Sequence, residues 1–286
     1  MKPKWIFEKD TFDEGNPEKM MEIVDGLGCD LVKVDYVPFG GMKRPGCFSD
    51  DDCVIAYGSI NLIRALMKET LWIPTAWFNP GNLRCSCYYA HWGDMLFQRE
   101  YIMLPWAELP RHKRRLYDTL SCEHCCMDEV FFRPDSNLKP FSGKKVSKED
   151  FDHWYAQEQD CYSPDPESMV VAAAVQDIGR EWRFVVCEGK VIAGSLYKDE
   201  GNSRCEPACP GTASWQKAQE AASHQWQPDD MYVVDVAETR GRPALEHLKV
   251  LEIGSFNCAG LYACPLEPCV QAATELAERQ WRELKA

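Results

Sequence analysis

The sequence has no long apolar run and no excess of positive charge. Its 286 residues include 32 Lys and Arg against 45 Asp and Glu, which gives a formal net charge of −13. This balance argues against a surface built to bind nucleic acid, because such a surface must neutralise phosphates. The first residues, MKPKWIFEKD, lack the apolar core of a signal peptide. No stretch approaches the roughly 18 apolar residues of a membrane span. We therefore expect a cytoplasmic protein with neither a nucleic-acid nor a membrane partner.

Cysteine is abundant and odd in number. The chain has 15 cysteines, and without a secretion signal they indicate reduced thiols in a cytosol. Cys122 and Cys125 form a C-x₂-C pair, the spacing that zinc commonly uses together with a second pair. The partner pair is not evident from the sequence. A zinc-stabilised interaction module is therefore an alternative to the function developed below.

The order of strand and helix patterns predicts an α/β (α+β) protein with two domains. The first 75 residues read as strand, helix, strand, strand and helix, with Ser59 as the cap of the second helix. The apolar residues of segment 71–104 show no regular helical or strand spacing, and we expect this segment to be irregular. We place a small α/β domain at residues 1–105 and a second domain at 106–286. In the second domain, the patterns predict a tight hairpin at Glu188–Gly189, a loop over 201–210 and a final helix over 266–284.

Two acids lie in a predicted hairpin near the carboxyl end. Asp235 belongs to a strand over 231–237 and Glu252 to a strand over 249–253, each among apolar neighbours. If the strands pair, both carboxylates can face the same side. Two such charges about 4 Å apart repel by roughly 4 kcal/mol at an effective dielectric of about 20, so a cation is expected between them. Mg²⁺ suits carboxylate oxygens, and Asn257 could add a neutral oxygen. An ordinary hairpin with its acids in water is the alternative.

Cationic residues lie at strand ends and loops of the same half of the chain. Arg183 stands between Trp182 and Phe184, where a guanidinium loses hydration unless it finds an acid or an anion. A structural pair with a nearby carboxylate would satisfy this single residue. Several cations next to an acidic hairpin instead favour a charged cleft, because phosphates bound with Mg²⁺ need both signs of charge. The cations are Arg133, Lys139, Arg183 and Lys198.

Three segments in order carry a family resemblance. The segment VVAAAVQDIGREWRFVVCEGKVIAGSLYK resembles the nucleotide-hinge segment of ATP-grasp enzymes. YVVDVA followed by LEIGSFNCAGLYA is similar to the metal-binding end of that superfamily, and FFRPDSNLKPFSGK resembles the bacterial and phage clade named for two arginines and a lysine. The resemblance covers about residues 129–264. It implies a two-lobed ATP-grasp module with antiparallel sheets, preceded by a small domain.

The resemblance also implies residue roles. Arg133 and Lys139 would contact ATP phosphates. At and beside the adenine hinge, the nucleotide would be bound by Gln176, Asp177, Ile178 and Glu181. Arg183 would face the γ-phosphate or the acyl phosphate, and Lys198 would add a phosphate contact. The Mg²⁺ ligands would be Asp235, Glu252 and Asn257.

The implied activity is an ATP- and Mg²⁺-dependent carboxylate–amine ligase that acts through an acyl phosphate. Its substrates would be a small-molecule, peptide or protein acid and an amine. One departure weakens this expectation: the family pattern Glu-x-Asn at the metal reads Glu252-Ile253-Gly254 here. This departure leaves a site that binds metal more weakly, or a degenerate site, as alternatives. A non-catalytic nucleotide-binding protein is therefore the second alternative.

Overall fold

The structure is a computed structural model that describes residues 1–12, 16–37, 45–121, 128–240 and 247–286. Its strands are β1 Lys4–Glu8, β2 Leu31–Val34, β3 Cys53–Tyr57, β4 Ile73–Thr75, β5 Tyr101–Pro105, β6 Glu129–Pro134, β7 Lys144–Ser147, β8 Met169–Ala174, β9 Ile178–Cys187, β10 Lys190–Asp199, β11 Asn202–Pro207, β12 Met231–Thr239 and β13 Leu248–Ser255. Its helices are α1 Asn16–Gly26, α2 Ile60–Glu69, α3 Cys85–Trp92, α4 Leu109–Leu120, α5 Phe151–Tyr162, α6 Ala213–Ala222 and α7 Leu266–Lys285.

The chain divides into two compact units. The first unit contains Met1–Asn79, Gly179–Ala237 and Glu252–Ala286, and the second contains Pro80–Ile178 and Glu238–Leu251. Both units are therefore discontinuous along the sequence. The division at residue 105 that the sequence suggested stays a prediction.

A parallel sheet of four strands forms the amino-terminal part of the first unit. Its order is β2-β1-β3-β4, and each adjacent pair runs parallel. The expected strand and helix order is confirmed, and the Ser59 hydroxyl accepts a hydrogen bond from the Leu62 amide at 3.2 Å, as an N-cap should. α7 packs its apolar face into the same core as Trp5 and Phe7, the rings of which stack at 5.5 Å.

A five-stranded sheet carries most of the residues of interest. Its order is β11-β10-β9-β12-β13, and β9 and β10 form an antiparallel hairpin. Glu188 and Gly189 both have positive φ, 46° and 76°, which gives the tight turn that the sequence predicted. The predicted loop at 201–210 was wrong over β11. All six residues of this edge strand are exposed, so it lacks the apolar alternation that would reveal a strand.

An antiparallel sheet of four strands, in the order β5-β8-β6-β7, forms the second unit together with α4 and α5. Its core is aromatic, with Phe132 stacked on Trp154 at 4.9 Å. The irregular segment expected over 71–104 contains α3 and β5 instead. The Asp135 carboxylate accepts the Ser86 amide at 2.6 Å at the start of α3. This eight-residue helix is thus stabilised by a cap some fifty positions away, which no local pattern reveals.

The described cysteines are all free thiols, and several of them, including Cys264 and Cys269, are buried in the core of the first unit. Cys122 and Cys125 lie outside the described residues, so the zinc alternative is not tested by their positions. Within the described ranges, no group of three or more His, Cys, Asp and Glu is arranged to hold a metal ion. Among the helices of these ranges, none is both long and apolar enough to cross a membrane.

Candidate functional site

A buried ion pair joins β9 to β12 in the first unit. The Arg183 Nε donates to Asp235 Oδ1 and its Nη2 to Oδ2, both at 2.8 Å, and its Nη1 donates to the Gly260 carbonyl at 3.0 Å. The two side chains are only 15% and 5% exposed. This bidentate geometry is the strongest form of an Arg–carboxylate contact. The acid partner that the sequence required for Arg183 is therefore Asp235.

The pair keeps Arg183 charged despite its burial. Burial alone would lower the pKa of the Arg183 guanidinium, but the Asp235 carboxylate, by its charge and its hydrogen bonds, raises that pKa well above the usual value. The guanidinium is therefore a permanent positive charge in a site from which water is largely excluded.

Two stacked tyrosine rings lie beside this guanidinium. Tyr197 and Tyr262 stack with their centroids 4.9 Å apart and their planes 11° apart. The Arg183 Cζ lies 5.6 Å from the first ring and 5.3 Å from the second, within the range of cation–π attraction. Tyr262 has a φ of 51°, an uncommon conformation for a residue other than glycine. Its carbonyl accepts the Asn16 side-chain amide at 3.0 Å, which helps to hold this backbone in place.

Glu181 contacts both Tyr197, one of the two stacked tyrosines, and Lys198. Its Oε2 accepts the Tyr197 hydroxyl at 2.8 Å, and its Oε1 lies 3.4 Å from the Lys198 Nζ. The β9–β10 register shifts between Leu196 and Lys198, and this bulge lets two consecutive side chains reach the same carboxylate. Burial, followed by the charges of Asp235 and Glu181, raises the pKa of Tyr197. Glu181 thus anchors two neighbours, and its expected nucleotide contact stays a prediction.

Asn257 has an anchoring role that the sequence analysis missed. Its side chain is fully buried; Oδ1 accepts the Trp77 amide at 2.9 Å, and Nδ2 donates to the Ala56 carbonyl at 2.6 Å. Its own carbonyl accepts the Gly58 amide at 2.9 Å. These bonds fix the segment after β13 to the carboxyl end of β3. A metal would have to use the remaining lone pair of Oδ1, and this ligand role stays a prediction.

The donor set agrees with Mg²⁺ in the kind of atom that it offers. Glu252 is on β13, the neighbour of the strand that carries Asp235, so two carboxylates are available on adjacent strands. Such oxygen ligands suit Mg²⁺. Both Asp235 oxygens, however, accept hydrogen bonds from Arg183, and a metal there would meet a cation. The donor types suit the ion, but as the side chains stand Arg183 engages both Asp235 oxygens.

Packing leaves little room for a side chain at Gly254, the position where the family pattern has Asn. A Cβ at this position would lie 3.2 Å from Val233 Cγ2, closer than most side-chain contacts in proteins. A side chain at position 254 therefore requires Val233 to shift. The side chain of the third metal ligand, which the family pattern has at position 254, would here meet the side chain of Val233 inside the sheet.

The remaining predicted residues lie in the second unit. Arg133 is on β6 opposite Val171, and Lys139 has a φ of 48° in the loop between β6 and β7. Asp177, which follows Gln176 and precedes Ile178 at the start of β9, accepts the Arg240 amide through its carbonyl at 3.0 Å. Arg240 also places its Nη1 4.0 Å from the Asp177 carboxylate. No motif signalled this contact of Arg240 with the predicted hinge segment, and the hinge and nucleotide roles of these residues stay predictions.

The comparisons with known proteins agree with this fold. The family model of the ATP-grasp domain, R2K clade family 2, matches residues 117–272, more than half of the chain. A search of curated protein sequences finds no match.

Solved structures with similar folds include a synthetase, an ATP-grasp protein and a macrocyclase. D-cycloserine synthetase DcsG superposes with a TM-score of 0.63 at 13% identity over 97% of this chain and 99% of that chain. A RimK domain ATP-grasp protein from Sphaerobacter thermophilus gives 0.57 at 14% identity over 97% and 99%. The macrocyclase MdnC from Microcystis aeruginosa, bound with precursor peptide MdnA, gives 0.57 at 12% identity over 96% and 99%.

The family match and the fold neighbours together confirm the resemblance seen in the three sequence segments. They also confirm the mixed α/β architecture with antiparallel sheets. The chain belongs to R2K clade family 2 of the ATP-grasp domains and is an enzyme of the ATP-grasp ligase type.

Proposed function

We propose that the protein joins a carboxylate to an amine in an ATP- and Mg²⁺-dependent reaction that passes through an acyl phosphate. One oxygen of the acid attacks the γ-phosphorus of ATP, the bond from that phosphorus to the bridging oxygen breaks, and ADP leaves. The amine nitrogen then attacks the acyl carbon, the carbon–oxygen bond to the phosphate breaks, and phosphate and one proton leave. No covalent protein nucleophile is needed.

The observation that carries this proposal is the buried, permanently charged Arg183 on β9, together with Lys198, which lies opposite Glu181 on the neighbouring strand. Phosphoryl transfer needs fixed positive charge more than it needs a protein nucleophile. Arg183 provides a planar fork for phosphate oxygens, and Lys198 provides a second, partly exposed cation. Mg²⁺, held by Asp235, Glu252 and Asn257, would neutralise further phosphate charge.

We propose a peptide or small-molecule acid as the substrate class. Three fold neighbours support it. They are MdnC, bound with a precursor peptide, PsnB, complexed with minimal precursor, Mg and ADP, and the cycloserine synthetase. The composition supports a cytoplasmic location, in which the free cysteines stay reduced.

The second candidate is a nucleotide-binding protein without ligase turnover. Gly254 and the engagement of Asp235 by Arg183 favour it, because both weaken the metal site. The two candidates share nucleotide binding and differ in whether the acid is activated.

Calorimetric titration of a non-hydrolysable ATP analogue, with and without Mg²⁺, tests the shared part. We expect binding that Mg²⁺ strengthens and that Arg183→Gln weakens. Arg180→Gln is the matched control, because Arg180 is an exposed residue of the same strand. Absence of binding to the folded wild-type protein would overturn both candidates.

Hydroxylamine then separates the candidates. It attacks an acyl phosphate and leaves a hydroxamate, so ATP, Mg²⁺ and a library of small acids and peptides should yield hydroxamate together with ADP. Nucleotide binding without hydroxamate from any acid would favour the non-catalytic candidate.

A further inference from the structure

The strand β2 lies at one edge of the parallel sheet, and part of its backbone faces away from that sheet. Amides of β1 and of the residue after it donate to the Asp30 and Val34 carbonyls at 2.8 and 3.0 Å. Because neighbouring residues of a strand direct their backbone groups to opposite edges, those of Leu31 and Lys33 face outward. Within the described ranges, no strand pairs with β2 on that side. This edge can therefore accept a further strand.

A groove of about 650 Å³ lies beside this edge, and we call it the α1–β2 groove. One face of α1 lines it together with residues 29–33, which include the start of β2. Its apolar part contains Met21 and Cys29, which are 8% and 6% exposed. The groove thus offers apolar surface next to a strand edge, the combination that an added strand needs for its side chains and its backbone.

The charges around the α1–β2 groove are mostly negative. Glu18, Glu22 and Asp25 have the spacing i, i+4, i+7 and therefore share one face of α1, and Asp30 adds a fourth carboxylate. Among the described residues that line the groove, Lys33 is the one cation. Four carboxylates and one ammonium give this lining a net charge of −3.

These four carboxylates differ from other exposed acids of the first unit. Asp35 lies 2.6 Å from the Lys9 Nζ, and Asp51 lies 2.5 Å from the Lys285 Nζ. In the part of the chain that the structure describes, no basic side chain comes within 4.0 Å of any of the four groove carboxylates. Their mutual repulsion is therefore not offset within the protein, and a cationic partner would relieve it.

We propose that the α1–β2 groove binds an extended, basic segment of a partner protein, which joins the four-stranded sheet next to β2. Its backbone pairs with Leu31 and Lys33, and its alternate Lys or Arg side chains face the acids of α1. Glu18 and Asp25 are about 10 Å apart along the helix axis, whereas alternate residues of a strand are about 7 Å apart. Two successive basic side chains therefore reach this set of acids.

Charge also argues against two other occupants. A second copy of this chain carries the same net charge of −13, and nucleic acid would be repelled by the same carboxylates. The inference concerns the first unit alone and does not depend on the proposed ligase reaction.

Fluorescence anisotropy with the labelled hexapeptide KVKVKV tests the proposal. We expect binding at low salt that weakens about tenfold between about 50 and 500 mM salt, because exposed charges are screened. The peptide KVKPKV has the same charge but lacks one strand amide, and it should bind about tenfold more weakly. The peptide EVEVEV should not bind.

Charge variants locate the bound peptide. Glu22→Gln with Asp25→Asn should weaken KVKVKV binding about fivefold, since each exposed ion pair contributes little. Lys33→Gln should tighten it about twofold. The matched control is Glu267→Gln with Glu283→Gln, which removes the same charge from exposed positions of α7 and should change the affinity less than twofold. Equal losses in the two double variants would show nonspecific attraction and overturn the proposed site.

Amide hydrogen exchange then tests the strand pairing. The amides of Leu31 and Lys33 should exchange more slowly when KVKVKV is bound, because they gain hydrogen-bond partners. Binding without this protection, or equal binding of KVKPKV, would overturn strand addition. Absence of KVKVKV binding at low salt would overturn the proposal altogether. Dimerisation of the wild-type protein that blocks the peptide would assign the edge to a second copy and would overturn it too.

Discussion

Asp229 offers a test of the electrostatics of the first unit that does not depend on any ligand. Burial raises the pKa of its carboxyl above the ordinary 3.8 to about 6, although the Asp230 and Asn79 backbone amides act in the opposite direction. The folded state therefore holds a proton that the unfolded chain releases at lower pH. Stability falls as pH rises from about 4 to 6 and is level above that range.

Asp229→Asn removes this dependence. A shift of about two units corresponds to about 3 kcal/mol at 1.36 kcal/mol per unit, an upper value because the site is partly exposed. The variant should match wild type at pH 4 and exceed it by up to that amount at pH 7.5, as measured by urea denaturation. Glu283→Gln is the control, since Glu283 is an exposed acid on α7 in the same unit. A variant that is destabilised equally at both pH values would refute the reasoning.

Two further predictions concern the segment around β13. Asn257→Ala should cost about 2–4 kcal/mol in urea denaturation, because it leaves the buried Trp77 amide and Ala56 carbonyl unpaired; a loss below 0.5 kcal/mol, on the order of a surface substitution, would contradict the anchoring role. Gly254→Ala should lower the melting temperature by about 2 °C, about 1 kcal/mol, through contact with Val233, and the loss that it causes should be smaller in a Val233→Ala background. Equal melting of the single variant and wild type would contradict the packing explanation.

Local signals were enough to predict much of the fold. The turn at Glu188–Gly189 follows from Gly189, which adopts a positive φ without strain, and the Ser59 cap follows from its position before an apolar helix pattern. The requirement that Arg183 find a partner also followed from its apolar neighbours. In each of these cases the cause lies within a few residues of the effect.

The partners themselves were not predictable, because they depend on contacts between distant parts of the chain. Asp235 lies 52 positions from Arg183, and the pairing of β9 with β12 that joins them leaves no trace in either strand. Tyr262 reaches the same guanidinium through a backbone conformation that its residue type does not favour. The exposed strand β11 was missed for the opposite reason, since its position at a sheet edge removes the apolar alternation.

The discontinuity of the first unit has a consequence for synthesis on the ribosome. Trp5 and Phe7 share their core with Cys269, Val270 and Ala273 of α7, so this core is complete only when the chain has been made as far as α7. Until then, the nascent parallel sheet exposes an apolar face, a state that favours aggregation and chaperone binding. Nascent chains stopped before α7 should therefore be bound by chaperones, whereas chains that include it should be released.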